Sequence, residues 1–277
     1  MYSYPYNSPS KIKSVLSSYD AAARKRWGQN FLVDPNHARI IAENILKYCG
    51  AEITEIGPGL GAITSILLKE GRVVRGVEID PVMGKILEEQ LTPEFPGFSL
   101  SIMDVLDFLA ERPPIESICG NLPYYISTDI FRGCMKIPGL KTAVFLTQYE
   151  FSQRVAVSAA PLNSLAVYLQ NFGEWKKLHT VPESAFYPVP KVRSALILFQ
   201  RHPDGFRSDP ETLEQLLRMS FGGKRKMMLN SWKKASPKPL EIERLISAAE
   251  GAGVDHSRRA EELSPADFYR MANLLLT

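Results

Sequence analysis

The chain has 277 residues, of which 45% are hydrophobic and 23% are charged, enough for one large domain or for a large domain with a small appendage. Its four scattered histidines and three cysteines lack metal-ligand spacing, and it contains neither H-E-x-x-H nor G-x-S-x-G, which argues against a metal site, a zinc protease and a serine hydrolase. The cysteines lie in apolar contexts, no stretch is long and apolar enough to span a bilayer, and the formal net charge is only +3, so we expect reduced cysteines and a cytoplasmic location.

The chain begins with a polar segment rich in tyrosine, proline and serine, for which we predict a flexible extension over residues 1–22 with one amphipathic turn at 12–16. Next comes RKRWGQNFL at residues 24–32, whose basic residues beside an aromatic side chain suit either RNA phosphates or a solvated loop. Gln29 and Asn30 lie between two aromatic residues, which suits a lid over a small molecule.

A glycine-rich turn is the most informative element of the first half. The residues from Ile53 to Thr64 read ITEIGPGLGAIT, a β-branched run followed by alternating glycines and an apolar helical pattern. Gly57, Gly59 and Ala62 fit the G-x-G-x-x-G/A fingerprint, in which glycines let a ligand approach the backbone. The acidic residue expected about 20 positions later is Glu78, whose carboxylate suits the two hydroxyls of a ribose. The alternative is a glycine turn without a ligand, but the spacing of Glu78 favours a nucleotide-like ligand.

Strands and helices alternate around this turn. Asp34 caps a predicted helix, and a strand at 73–79 is followed by a helix at 81–91 and a strand at 98–102. This alternation predicts an α/β fold with a mostly parallel sheet and helices on both faces. Asp104 follows the last of these strands, at the edge where open α/β sheets bind ligands. It either accepts a hydrogen bond from an exocyclic amine, such as that of adenine, or caps the next helix.

The strand at 115–119 leads directly into GNLPYYIS at residues 120–127. Glycine and proline hold a tight loop, in which Asn121 presents an amide and Tyr124 an adjacent flat face. The N6 amine of adenine is a poor nucleophile because its lone pair is delocalised, and acceptors that grip its two hydrogens favour the pyramidal nitrogen that attacks. We therefore interpret Asn121 and neighbouring backbone carbonyls as an amine clamp, and Tyr124 as a stacking surface for an extruded base. The alternative is a turn with structural tyrosines.

The rest of the large domain shows a strand at 141–147, helices at 148–157 and 161–172, and strands at 175–181 and 193–200. The last two strands are joined by PESAFYPVPK at 182–191, whose three prolines make the connector stiff. Phe186 in this connector is either a stacking residue over a pocket or a packing residue.

A break in the pattern at RHPDG, residues 201–205, marks a predicted domain boundary, beyond which the chain is helical. Between Arg218 and Lys238 there are seven Lys/Arg and no Asp or Glu, next to Phe221 and Trp232. Charge of a single sign beside aromatic residues favours a surface for a phosphate backbone over an ordinary solvated face.

These motifs together resemble the ribosomal RNA adenine N6-dimethyltransferases of the kasugamycin-resistance type, the 16S rRNA dimethyladenosine transferases. The motifs that carry the resemblance are GQNFL at 28–32, EIGPGLG at 55–61, NLPY at 121–124 and PVPKV at 188–192, with FGGKRK at 221–226 in the small domain. The resemblance implies a Rossmann-like S-adenosylmethionine-dependent methyltransferase domain over 23–203, with its last strand antiparallel, and a small helical RNA-binding domain over 204–277. The implied substrate is a pair of adjacent adenosines in a hairpin near the 3′ end of 16S rRNA, in an assembling small ribosomal subunit.

The resemblance also implies the site and the partners. The implied cofactor contacts are Gln29, Asn30, Leu32, Gly57, Gly59, Glu78, Asp104 and Asn121, and the implied catalytic residues are Asn121, Leu122, Tyr124 and Phe186. S-adenosylhomocysteine would be the product, and we expect a monomer without a metal or a membrane partner. The chain departs from the family pattern at Tyr125, where asparagine is common, and at PLNS, residues 161–164, which replaces a tyrosine-glycine lead-in. Both departures bear on how the target base fits.

Three other classes of protein share part of this pattern. A nicotinamide-dependent oxidoreductase has the glycine turn and the acidic residue, but a hydride donor needs no amine clamp. A DNA adenine methyltransferase uses a similar clamp, usually with a separate sequence-reading domain. A non-catalytic RNA-binding assembly factor would keep the fold and the basic surface, and the intact cofactor motifs argue against it.

Overall fold

The computed structural model describes residues 3–20, 29–156, 161–223, 225–235 and 240–276. The chain divides into two compact units, one formed by Met1–Ser152 and Lys176–Gln200 and the other by Gln153–Trp175 and Arg201–Thr277. The predicted boundary between residues 203 and 204 left Gln153–Trp175 in the sheet domain. In the structure this segment belongs to the second unit. Residues 24–28 and Lys224, singled out from the sequence, lie outside the described residues.

The strands are β1 (Phe31–Leu32), β2 (Glu52–Ile56), β3 (Val73–Glu78), β4 (Phe98–Ile102), β5 (Ser117–Asn121), β6 (Thr142–Gln148), β7 (Gly173–Val181), β8 (Phe186–Tyr187) and β9 (Ser194–Arg201). Seven of them form one sheet in the order β4-β3-β2-β5-β6-β9-β7. The first five strands of this order pair in parallel, and β9 runs antiparallel to β6. The predicted α/β fold and the antiparallel last strand implied by the resemblance are confirmed. The antiparallel pair of β1 and β8 was not predicted.

The α-helices are α1 (Pro9–Ser18), α2 (Pro35–Tyr48), α3 (Thr64–Lys69), α4 (Pro81–Leu91), α5 (Val105–Ala110), α6 (Ser127–Met135), α7 (Tyr149–Val155), α8 (Ser164–Gln170), α9 (Pro210–Ser220), α10 (Met228–Lys234), α11 (Ile242–Gly251) and α12 (Pro265–Leu274). Asp34 caps α2 as predicted, since its Oδ1 accepts hydrogen bonds from the backbone N–H groups of Asn36 and His37. Helices α6 and α10 were not predicted. None of the helices in the described ranges combines the length and the apolar character that crossing a bilayer demands.

The central strands of the sheet are buried, as a parallel sheet covered by helices requires. In β6 every residue except the last is buried. Helix α2 contributes Ile41 and Ile45 to a core cluster that also contains Val144 of β6 and Leu198 of β9. This core holds the strands rigidly, so that the loops at their carboxyl ends start from fixed positions.

Helix α1 lies within the segment predicted to be a flexible extension. Its apolar side is covered, because Ile12 and Leu16 are buried in a cluster with Met83 and Ile86 of α4. The structure therefore replaces the flexible extension, over residues 3–20, with an ordered segment that contains this helix. The amphipathic pattern was visible in the sequence, but the partner that buries it lies far along the chain.

The second unit is helical, as predicted for the C-terminal part of the chain. Helix α9 packs against α8, α10 and α12, and α11 packs against α12. Trp232 of α10 is fully buried, and its Nε1 donates a hydrogen bond to the Oγ of Ser220 at 2.9 Å. Its indole is thus a core group, which corrects the interpretation of Trp232 as part of a phosphate-backbone surface.

Candidate active site

Four neighbouring strands of the sheet end in residues that the sequence singled out. Strand β2 leads to Gly57, β3 ends at Glu78, β4 leads to Asp104 and β5 ends at Asn121. Because these strands are parallel, their carboxyl ends meet at one edge of the sheet. The four residues line one cavity, together with Gln29, Asn30, Gly59, Leu122 and Tyr124. Of the predicted site residues, Leu32 and Phe186 lie elsewhere.

The glycine turn is shaped by backbone angles that favour glycine. Gly57 has a φ of 63° and Gly59 a φ of 59°, left-handed values that strain a residue with a Cβ. The N–H of Gly57 donates to the carbonyl of Val77 at 2.9 Å, and the N–H of Gly59 donates to the Oε2 of Glu78 at 3.0 Å. The turn is thereby tied to β3, and α3 begins only at Thr64.

Glu78 is buried and held from two sides. Its Oε2 accepts the N–H of Gly59 and its Oε1 accepts the N–H of Asp80, both at 3.0 Å. Burial raises the pKa of Glu78 to about 7, and the two backbone N–H groups oppose that rise. A buried carboxylate gains from ligand groups that donate hydrogen bonds to it, and the two hydroxyls of a ribose are such donors.

Asp104 is half-buried and caps α5, because its Oδ1 accepts the N–H of Leu106 at 2.8 Å. Asp104 therefore caps the helix, which is one of the two roles predicted from the sequence. The capping hydrogen bond uses one carboxylate oxygen and leaves the other available at the wall of the cavity. Capping and ligand binding are compatible at this residue.

Asn121 is oriented by a backbone group from another part of the chain. Its Nδ2 donates a hydrogen bond to the carbonyl oxygen of Asn30 at 3.1 Å. Because the nitrogen side of the amide is used in this way, Oδ1 is the atom left to accept from a substrate. The next residue, Leu122, is buried, and its N–H donates to the carbonyl of Leu146 at 3.0 Å. Leu122 therefore anchors the loop through its backbone and its buried side chain.

Tyr124 and Tyr125 form one rim of the cavity. The hydroxyls of Tyr124 and Ser194 are hydrogen bonded at 2.7 Å, which fixes the ring of Tyr124 against the start of β9. Burial raises the pKa of Tyr124, so this hydroxyl stays protonated at neutral pH. Tyr125 is 61% exposed, which makes it the more accessible of the two rings.

Gln29, which lies before β1, and Leu32, the last residue of β1, border different cavities. The Nε2 of Gln29 donates to the Oδ2 of Asp80 at 2.8 Å, so the segment before β1 is fastened to the N-terminus of α4. Leu32 is buried and borders a smaller neighbouring cavity, which shares Asn30 and Gly57 with the main one.

Phe186 does not reach the cavity. Its side chain is 1% exposed and belongs to the core cluster that contains Ile41 and Val144. Strand β8 pairs with β1 and places Phe186 opposite Leu32, which turns the ring into the core. A ring enclosed in this way offers no face to an incoming base, so the structure corrects the stacking interpretation and makes Phe186 a packing residue.

Glu55 is a candidate site residue that was not predicted from the sequence. It lies in β2, it is buried, and its Oε2 has no hydrogen-bond partner among the described residues. It borders the smaller cavity beside Asn30 and Gly57, and burial raises its pKa to about 7. The signal was present in the sequence, since Glu55 lies between Thr54 and Ile56 in a strand whose burial was predictable, and a carboxylate is expensive to bury without a partner.

No group of three or more His, Cys, Asp or Glu side chains converges as a metal site in the described part of the chain. Cys49, Cys119 and Cys134 are free and buried. Burial raises the pKa of the Cys49 and Cys134 thiols to about 12, so neither is a thiolate at neutral pH.

Comparison with known proteins adds sequence relatives of nearly full length. The model of the family described as Ribosomal RNA adenine dimethylase matches residues 21–276. A protein of Bacillus pumilus (strain SAFR-032) named Ribosomal RNA small subunit methyltransferase A is 32% identical over 282 residues, covering 96% of each chain. A protein of the same name from Leifsonia xyli subsp. xyli (strain CTCB07) is 34% identical over 283 residues, covering 95% of this chain and 96% of its own.

Two solved structures share the fold of this chain over most of its length. The 23S rRNA methyltransferase ErmE superposes with a TM-score of 0.68 at 28% identity, covering 90% of this chain and 100% of its own. A dimethyladenosine transferase from Plasmodium falciparum superposes with a TM-score of 0.71 at 22% identity, covering 86% of this chain and 94% of its own. The second likeness concerns the fold alone.

Proposed function

The chain belongs to the ribosomal RNA adenine dimethylase family, and from this premise we propose that it transfers methyl groups from S-adenosylmethionine to the N6 atoms of adenosines in 16S rRNA. Each target receives two methyl groups, and the targets are two adjacent adenosines in a hairpin near the 3′ end. The observation that carries the proposal is the common cavity, in which Asn121 lies beside the glycine turn and Glu78.

The residues of the cavity fit the parts of S-adenosylmethionine. Glu78, beside the N–H of Gly59, would accept hydrogen bonds from the ribose hydroxyls, and the carboxylate oxygen of Asp104 that does not cap α5 would accept one from the adenine amine. The unpartnered buried oxygen of Glu55, near Asn30, suits the ammonium group of the methionine end. Gly57 brings its backbone close to the ligand without a Cβ in the way. When bound, the cofactor would supply a methyl group on a positively charged sulfur, and in-line attack of the amine on that methyl carbon would release the neutral thioether S-adenosylhomocysteine.

The loop after β5 prepares the target base for that attack. The Oδ1 of Asn121 and neighbouring backbone carbonyls accept the two hydrogens of adenine N6, which localises the nitrogen lone pair. The ring of Tyr124, held by Ser194, stacks on the extruded base. Holding two reacting groups in line can lower the barrier by roughly 7–11 kcal/mol, so positioning supplies much of the catalysis. The proton lost from N6 leaves to solvent.

The ribosomal subunit that carries the target is proposed from the relatives. Two proteins named for the small subunit are 32% and 34% identical to the chain over almost its whole length. A second candidate, 23S rRNA, is favoured by the likeness to ErmE, at the lower identity of 28%. We place the reaction in the cytoplasm, on an assembling small subunit, with the enzyme acting as a monomer.

The test offers the protein labelled S-adenosylmethionine with one of four substrates: undermodified small subunits, naked 16S rRNA, naked 23S rRNA or duplex DNA. The nucleic acid is then digested and searched for labelled dimethyladenosine. We expect labelled dimethyladenosine in the 16S rRNA of the undermodified small subunits, and little label in the three naked nucleic acids. Preferential labelling of 23S rRNA would move the target to the large subunit, and labelling of DNA alone would contradict the proposed function.

A further inference from the structure

Two cations lie over one tyrosine ring near the loop after β5. The guanidinium carbon of Arg193 is 3.8 Å from the centroid of the Tyr149 ring, and the Nζ of Lys177 is 5.0 Å from the same centroid. Both cationic residues are exposed, and Tyr149 is half-buried. We call Lys177, Tyr149 and Arg193 the aromatic–cation cluster. All three belong to the first unit.

The strand register places this cluster beside the loop after β5. Strand β9 runs antiparallel to β6, so its first residue, Ser194, pairs with the last residue of β6, Gln148. The N–H of Tyr149 also donates to the carbonyl of Arg193 at 3.0 Å. Because Ser194 bonds the hydroxyl of Tyr124, a single chain step separates the cluster from the residue that fixes the stacking ring.

No acidic side chain of the described residues neutralises the charge of the cluster. Neither Lys177 nor Arg193 forms an ion pair with any residue that the structure describes, although Glu150 follows Tyr149 in the chain. Contact with an aromatic face orients a guanidinium but leaves its charge and its in-plane N–H groups available. The ring of Tyr149 therefore holds Arg193 in place for an anionic partner.

We propose that the aromatic–cation cluster binds the sugar-phosphate backbone of the substrate RNA next to the target adenosine. The inference rests on the proposed function, because a base that enters the cavity at Tyr124 brings its flanking phosphates to the same edge of the sheet. Phosphate matches the cluster chemically, since Arg193 offers paired N–H donors and Lys177 adds a second charge. Such contacts position the RNA without reading its bases.

The test is direct binding of a 16S rRNA fragment that carries the 3′ hairpin, measured over a salt series for wild type and variants. The variants are Lys177→Gln and Arg193→Gln, singly and combined. The matched control is Lys176→Gln, because Lys176 is the exposed neighbour of Lys177 in β7 and successive strand residues point to opposite faces. Tyr149→Phe keeps the aromatic face and Tyr149→Leu removes it.

We expect the double variant to bind the fragment several-fold more weakly and to flatten the log–log salt slope by about 1.4–1.8, since each phosphate that is no longer neutralised removes about 0.7–0.9. Lys176→Gln and Tyr149→Phe should bind like wild type, and Tyr149→Leu should bind like Arg193→Gln. A double variant that matches the control in affinity and slope would overturn the proposal and leave the cluster as a packing feature. If the double variant is unstable, the affinity and salt slope of Lys177→Gln alone test the proposal, because changing an exposed side chain should leave the fold intact.

Binding of the fragment is measured without turnover, so its outcome is separate from that of the proposed function. If the wild-type protein methylates small subunits while the variants bind the RNA fragment normally, only the proposed RNA-binding role of the cluster is contradicted. A wild-type protein that methylates no ribosomal RNA would contradict the proposed function.

Discussion

The Nδ2 of Asn121 donates a hydrogen bond to the backbone carbonyl of Asn30, 3.1 Å away. This contact joins the loop after β5 to the segment that precedes β1, and it decides which side of the amide faces the substrate. An amide so oriented presents an oxygen, which is the group that a reacting amine needs as its acceptor.

Asn121→Ala is expected to lower the single-turnover rate of methylation sharply while leaving the fold and the RNA affinity nearly unchanged. The reason is that the Oδ1 contact strengthens as N6 becomes pyramidal, so its loss falls on the transition state. Rapid-quench kinetics at saturating substrates measures the rate, and Asn44→Ala on α2, outside the cavity lining, is the control. A variant that methylates at the wild-type rate would show that Asn121 is not the clamp.

Glu78→Ala is expected to weaken S-adenosylmethionine binding by about 1.5–3 kcal/mol, the range for hydrogen bonds to a charged group. The variant removes the carboxylate that accepts the N–H of Gly59 and, when the cofactor is bound, the ribose hydroxyls. Calorimetry measures the affinity, with the exposed Glu52→Ala as the control. Unchanged affinity in a folded variant would remove Glu78 from the site, and wild-type protein that binds NAD more tightly than S-adenosylmethionine would contradict the cofactor assignment.

Cofactor affinity should rise with pH through neutrality. Burial raises the pKa of Glu78 to about 7, and the ribose hydroxyls donate to its ionised form, so the group must lose its proton to bind them well. Glu55, whose pKa is also raised to about 7, acts in the same direction if it receives the ammonium group. Calorimetry between about pH 6 and pH 8 should show tighter binding at the higher pH, and Glu78→Gln should reduce the slope. A flat profile in the wild type would argue against both carboxylates as ligands.

The stability of the ligand-free protein should change with pH in the opposite direction. The folded-state pKa values of Glu55 and Glu78, about 7, lie above the ordinary value of 4.5, so the folded state binds more protons between these values. The free energy of unfolding therefore falls as pH rises from about 4.5 through 7. Denaturation of wild type and a Glu55→Gln, Glu78→Gln double variant across this range measures the effect, which should be smaller in the double variant.

Two aromatic substitutions separate packing from base capture. Phe186→Ala should destabilise the fold by about 3–5 kcal/mol, because it empties a fully buried site in the core. Tyr124→Ala should instead cost about 1–3 kcal/mol in capture of the target base, because the stacking face is removed. Chemical denaturation and steady-state kinetics on both variants test the pair. A stable Phe186→Ala enzyme with impaired base capture would restore the stacking role that the structure corrects.

The acid-free stretch from Arg218 to Lys238 should act in RNA docking. Arg225 and Lys226 are exposed. Changing Lys224, Arg225 and Lys226 to glutamate should raise KM for the RNA substrate, with less change in kcat and none in cofactor affinity. The salt slope should flatten by about 0.7–0.9 for each phosphate that the variant no longer neutralises.

The control for that triple variant reverses the same number of exposed charges in the first unit, at Lys85, Lys136 and Lys141. KM and salt slope that match this control would identify the stretch as a solvated face. The RNA surface would then have to include the basic residues Arg24, Lys25 and Arg26.

Strand-end residues of the site were predictable because their positions follow from local signals. Glu78, Asp104 and Asn121 each lie at or just after the carboxyl end of a predicted strand, and parallel strands bring such ends to one edge of the sheet whatever the details of packing. The glycine turn was visible for the same reason, since its angles restrict it to glycine.

Other features depend on contacts between distant parts of the chain. Phe186 is buried because β8 pairs with β1, and nothing in the connector indicates that pairing. Trp232 is buried because α10 packs against α9, although its neighbours in the sequence are basic. The hydrogen bond between Asn121 and Asn30 likewise joins segments 91 positions apart.

Mass-spectrometric mapping of the 3′ hairpin of 16S rRNA shows whether this protein dimethylates two adjacent adenosines there. Undermodified small subunits are incubated with S-adenosylmethionine and either wild type or Asn121→Ala, and the hairpin fragment is sequenced from its fragment masses. The proposed function predicts two neighbouring N6,N6-dimethyladenosines with wild type and an almost unmodified fragment with the variant. An unmodified hairpin with the wild-type protein, or methyl groups on residues other than adenosine, would contradict it.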